Sequence, residues 1–125
     1  MRLAILALTG AFVFSASAAL ADDPMSNTYA NTVTTKSAKN GAGATLLFNA
    51  NGSYSANTVG SDGKPFSYQG KWMLKDGGAT ICLAPTLPKP PPPSCSPLQK
   101  HAVGDSWNVT NDQGETFAVS LTAGR

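Results

Sequence analysis

The chain has 125 residues, nine basic and seven acidic side chains, one histidine and two cysteines. This near-neutral balance excludes the clustered basic charge that holds nucleic acid or an anionic membrane surface. Two cysteines and a distant His101 fall short of a structural metal set, and no cofactor signature is present. The twelve glycines and nine prolines, with no amphipathic helical period after residue 21, point instead to short strands and turns.

Arg2, the apolar run Leu3–Phe14 and the small residues Ser15–Ala21 have the layout of a secretory signal peptide, with Ala19 and Ala21 at the two small-residue positions before the cut. The apolar run is about twelve residues where a membrane-spanning helix needs about twenty, so no stable membrane insertion is expected after cleavage. Removing residues 1–21 leaves 104 residues, which is one domain, expected in the periplasm or secreted. Residues 22–27 are polar, contain Pro24 and are expected to be a flexible leader; residues 28–125 are expected to form a single β domain.

Thr28–Thr35 is rich in β-branched residues and reads as the first strand. Thr45–Phe48 and Ser53–Ala56 read as the next two, joined at Asn51-Gly52, a dipeptide suited to a type I′ turn with positive φ at both central positions. After a turn at Ser61–Lys64, Phe66, Tyr68, Gly70 and Trp72 alternate with Ser67, Gln69 and Lys71, as a half-buried antiparallel strand requires. Gly70, between two aromatic residues of one face, is expected to leave room for a neighbouring ring or to mark a bulge. Asp76-Gly77-Gly78 turns the chain into Thr80–Leu83; Ser106–Thr110 and Thr116–Thr122 complete the set. This is an all-β chain of about seven or eight short strands, a small antiparallel barrel or sandwich built as a meander. Phe48, Tyr54, Phe66, Tyr68, Trp72, Trp107 and Phe117 are expected to supply most of the core.

In an exported chain two cysteines pair, so Cys82 and Cys95 are expected to form a disulfide closing a proline-rich loop, residues 82–95. Pro85, Pro88 and Pro90–Pro93 argue against a paired strand there, because proline cannot donate to a ladder. Pro90, Pro91, Pro92 and Pro93 form an extended polyproline segment, the expected contact for a protein partner.

Catalysis finds little support in the residue pattern. Gly104-Asp105-Ser106 has the nucleophile triplet of the GDSL esterases, but no histidine follows Ser106, and the only one, His101, lies five residues upstream. Asp105 reads as a turn residue bonded to nearby amides, and Asp62, Asp76 and Asp112 as caps of their own turns. No catalytic residue is assigned, and the chain is expected not to be an enzyme.

Asn31-Thr32-Val33, Phe48-Asn49-Ala50-Asn51-Gly52-Ser53-Tyr54, Gly70-Lys71-Trp72, Ile81-Cys82, Cys95, Val103–Trp107 and the ending Leu121–Arg125 resemble a group of small exported bacterial proteins. That likeness implies compartment and fold, and no activity. Over residues 70–120, the order Trp72, Gly-rich turn, Cys82, Cys95, Trp107 and a closing apolar strand is similar to the periplasmic inhibitors of secreted zinc metalloproteases. That likeness implies a single-disulfide β-barrel whose N-terminal segment enters a protease cleft. The cysteine spacing here is shorter than in that family and Lys89–Pro93 has no counterpart in it, so no inhibitory residue carries over. Gly70-Lys71-Trp72 also has the Gly-x-Trp of the lipocalins, which carry theirs near the N-terminus.

These readings favour a non-enzymatic binding or envelope-accessory protein, its partner another periplasmic or secreted protein. The alternatives are a protease inhibitor acting through the leader and a small-ligand carrier of lipocalin type, although 104 residues leave little room for an open apolar cavity. Closing the Cys82–Cys95 loop removes unfolded-chain entropy worth roughly 3 kcal/mol. Cys82→Ser is therefore expected to lower the melting temperature by several degrees in a thermal scan; an unchanged melt would show that the cross-link carries no stability.

Overall fold

The computed structural model describes residues 23–60 and 62–125; residues 1–21, which carry the expected signal peptide, together with Asp22 and Ser61 lie outside them. Among the described residues eight strands are formed: β1 (Thr32–Ser37), β2 (Gly43–Phe48), β3 (Ser53–Val59), β4 (Pro65–Lys75), β5 (Thr80–Thr86), β6 (Ser94–Pro97), β7 (Ser106–Thr110) and β8 (Thr116–Thr122). A single 3-10 turn, Asp76–Gly78, joins β4 to β5. β1 to β6 run as an antiparallel meander, and the β7–β8 hairpin returns so that β8 pairs with β1. The order β6-β5-β4-β3-β2-β1-β8-β7 is an up-and-down barrel with one ladder missing, between β6 and β7. Of the two architectures expected from the spacing, the chain adopts the barrel.

Three hairpins are made by one device. Gly52, Gly63 and Gly114 have φ of 92°, 79° and 80°, and each donates its N–H to the carbonyl three residues back, on Asn49, Gly60 and Asn111. Those three residues in turn donate to the carbonyls of Ser53, Lys64 and Glu115. At Asn49–Ser53 and Asn111–Glu115 this is a three-residue hairpin loop closed by a left-handed glycine. The expected type I′ turn at Asn51-Gly52 is thus corrected: among the described residues Asp76 is the only non-glycine at positive φ, so Asn51 keeps a negative φ. Its side chain acts instead, accepting from Ser53 N at 3.1 Å.

Alternation sends Val33, Leu46, Phe48, Tyr54, Ala56, Val119 and Leu121 inward, and all are buried. Tyr54 pairs directly with Gly70. A Cβ built on Gly70 would lie 2.5 Å from the Tyr54 ring, so this glycine is the space the ring occupies, as its place between aromatic residues suggests. Trp72 is fixed from the same strand, its indole N–H donating to Asn49 O at 2.9 Å and to Ser53 O at 3.1 Å. Phe66, expected in the core, sits at the barrel rim and is 44% exposed.

Two expectations are overturned at the N-terminal side. Strand β1 begins at Thr32, not Thr28, and residues 24–30 form turns. Residues 23–27, expected as a flexible leader, are packed: Met25 is 2% exposed and belongs to the core cluster. Burying a methionine side chain is worth about 1.5–3 kcal/mol, which a polar flanking sequence conceals. The turn is held by Met25 N–H donating to Asp23 Oδ1 at 2.9 Å and by Asn27 Nδ2 donating to His101 O at 2.9 Å.

Pro85 lies in strand β5, against the expectation that the loop prolines would exclude pairing there, and Pro97 lies in β6. The register explains both. Residues 81 and 83 point their backbone groups at β6, so the Pro85 nitrogen points the same way, beyond Ser94 where β6 has ended. Pro97 turns its nitrogen toward the missing β6–β7 ladder. Neither removes a hydrogen bond the sheet would make. Gly70→Ala is expected to destabilise the barrel by about 1–3 kcal/mol through overpacking against Tyr54. Denaturant melts of Gly70→Ala should show this loss, with part of it restored in Gly70→Ala/Tyr54→Leu; a neutral Gly70→Ala would contradict the close approach.

Candidate functional site: the barrel lumen and its seam

The inward faces of the strands are unequal. On β1, β2, β3 and β8 they carry branched and aromatic residues that fill their share of the interior. On β6 they are Ser94 and Ser96, opposite Leu83 and Ile81 of β5, and small side chains leave space. The result is an interior cavity of about 280 Å³. Ile81, Leu83, Trp107, Val109 and Phe117 line it and keep partial exposure, so the lumen communicates with solvent. Met25 and Thr28 of the N-terminal turns line its lower end. The sequence-based expectation of too little room for an apolar cavity is therefore corrected: one short strand of serines makes the room.

Among the described residues, none of those lining the lumen is ionisable at neutral pH. Its side-chain polar groups are the hydroxyls of Thr28, Thr35, Ser94, Ser96 and Tyr68 and the indole N–H of Trp107. Ser94 Oγ accepts from Asn111 Nδ2 at 3.2 Å, which leaves its own proton to donate. Asn111 is 6% exposed and fully engaged: Nδ2 also donates to Glu115 Oε1, and Oδ1 accepts from Gln113 N and Glu115 N.

The β6–β7 seam beside these serines is bridged at one end. Asp112 N–H donates to Cys95 O at 2.8 Å, and Cys95 N–H donates to Asp112 Oδ1 at 3.1 Å. Asp112, read from sequence as a cap of its own turn, therefore reaches across the seam while Asn111 caps the turn. The Cys82–Cys95 disulfide forms as expected, between directly opposed residues of β5 and β6 on the outer face.

At the floor of the barrel the His101 ring stacks on Trp107 with centroids 3.4 Å apart and planes 6° from parallel. His101 Nδ1 lies 3.6 Å from Asp105 Oδ2, and that same oxygen accepts from Ala102 N at 3.0 Å. Asp105 is a turn residue, as expected, and Ser106 lies exposed at the start of β7. Pro90, Pro91, Pro92 and Pro93 are all exposed, outside any strand. Three of them border an outer depression with Lys71 and Ala84, so the run follows the wall of β4 and β5. Among the described residues no group of three or more His, Cys, Asp or Glu side chains is gathered in a metal-binding arrangement.

Lumen-side burial also governs the tyrosines. Desolvation, with Tyr68 adding a smaller like-charge effect, pushes the Tyr54 phenol well above its ordinary 10.0. Burial raises Tyr68 as well. Comparison with protein families, with curated proteins and with solved structures finds no match for this chain.

Each buried phenol has a folded-state value above the unfolded one, so the native state keeps protons that the unfolded chain releases. The associated stability is complete below pH 10.0 and is lost as pH rises through the raised values. Tyr54→Phe and Tyr68→Phe should each flatten the fall in stability between about pH 9 and 12, measured by urea melts at stepped pH. Identical slopes in wild type and both variants would show that neither phenol is held protonated by the fold.

Proposed function

We propose that this chain is a non-enzymatic binding protein of an oxidising, exported compartment, periplasmic or secreted, and that its barrel lumen takes a small apolar ligand. One observation carries the reading: a solvent-connected cavity of about 280 Å³ walled by aliphatic, aromatic and hydroxyl side chains, with no charge among the described residues that line it. Small-molecule sites are concave and mostly apolar, with a few polar groups that orient the ligand, and the lumen has that composition. The disulfide and the signal-like N-terminus support the compartment.

The inhibitor reading requires the N-terminal segment to be offered to a protease. Here residues 23–31 are spent on the barrel, with Met25 in the core and Arg125 Nη1 donating to Tyr29 O at 2.8 Å. A protein partner meeting Pro90–Pro93 is compatible with a filled lumen, since the run lies on the outer wall.

1-Aminonaphthalene, a neutral ten-carbon fluorophore, should bind saturably with enhanced emission. Ser96→Phe, which fills the lumen from β6, should abolish the signal while the melt and far-UV spectrum stay native. A flat titration of the wild type, or undiminished binding in a folded Ser96→Phe variant, removes the lumen as the site.

A further inference from the structure

The lumen's wall also specifies the chemistry of what it holds. A dry apolar cavity of about 150 Å³ takes benzene, so by proportion 280 Å³ accommodates on the order of ten carbon atoms. Charge is decided by the lining itself: among the described residues no ionisable side chain faces the lumen at neutral pH, and His101 stacks on Trp107 without being part of the lining. Lys36, Lys71 and Lys75 hold outward register positions on β1 and β4. Arg125, at the floor, is committed to Tyr29 O, Phe48 O and Asn49 Oδ1. A carboxylate or ammonium entering this space would lose its hydration and meet no counter-charge.

The polar end is decided by β6. Ser94 receives its hydrogen bond from Asn111 and has a proton to give, and Ser96 stands two residues along the same inward face. Both lie opposite the aliphatic Leu83 and Ile81. A ligand with an apolar body and one acceptor oxygen can therefore place the body against β5, β7 and β8 and the oxygen at the serines.

We propose that the lumen's ligand is an uncharged compound of about ten carbon atoms carrying a hydrogen-bond acceptor, such as a medium-chain ketone, alcohol or ester, with its oxygen held by Ser94 and Ser96. The assignment rests on the lumen being the binding site.

The two are separated by one competition experiment on the full disulfide-bonded protein at pH 7.5. Direct binding of 1-aminonaphthalene reports the lumen; its displacement by 2-decanone, 1-decanol, decanoate and decylammonium reports the ligand class. The ketone and alcohol should compete at concentrations roughly ten-fold or more below the two ions. In Ser94→Ala/Ser96→Ala the probe should bind within about two-fold of wild type, while the ketone weakens about five-fold, the size of one lost hydrogen bond. If all four compounds displace a bound probe equally, or decanoate wins, the neutrality assignment falls while the lumen stands. If the double variant leaves the ketone unchanged, the serine contact falls. If the probe does not bind the wild type, the lumen reading itself fails, and this assignment with it.

Discussion

The structure depends on how a barrel with one absent ladder is kept closed. β6 is only four residues long and pairs with β5 alone. Without further restraint, such a strand would fray and leave β5 as a bare edge. Two links prevent this. The disulfide joins Cys95 to Cys82 on the β5 side, and on the other side both backbone groups of Cys95 are taken by Asp112. Pro97, the other residue of β6 facing the seam, has no N–H to leave unpaired. The seam is thus shut to further strand pairing from the β6 side without being a ladder, and one cysteine is the point at which both halves of the barrel are tied.

The same economy at β6 creates the lumen. A fully paired strand with branched inward residues would fill the space between β5 and β7. Serines at positions 94 and 96 leave it open and line it with hydroxyls. The opposite half of the barrel shows what full packing looks like: Phe48, Tyr54 and Trp72 interlock with centroids 5.6 and 6.4 Å apart, and Gly70 is emptied of side chain to admit Tyr54. A rigid half supports an under-filled half, which is how a barrel can offer a cavity and keep a fixed shape.

The floor is a separate closure, made by the two ends of the described chain. Met25 enters the lumen, Tyr29 packs toward Trp72 with centroids 6.1 Å apart, and Asn31 Oδ1 accepts from Gly124 N at 3.0 Å. Arg125 then reaches from the C-terminus to the Tyr29 carbonyl and the end of β2. The N-terminal segment is a structural part of the cavity, which is why its role as a free arm is disfavoured.

The sequence by itself determined the all-β class, the strands Ser106–Thr110 and Thr116–Thr122, the disulfide and the reason for Gly70. These are legible because period-two alternation, turn glycines and cysteine pairing act over a few residues or through strong chemistry. Tertiary structure alone decided the rest. Met25 lies in a polar stretch with no period, and only the open end of a barrel makes a core residue of it. Pro85 looked incompatible with a strand because a proline's cost depends on which neighbour its nitrogen faces. Asp112 and Asn111 are adjacent in a turn signature, and their division between seam and turn depends on β6 lying within reach. The lumen was least legible of all, since a cavity is the space left between residues distant in sequence, and Ser94 and Ser96 on either side of Cys95 carry no sign of it.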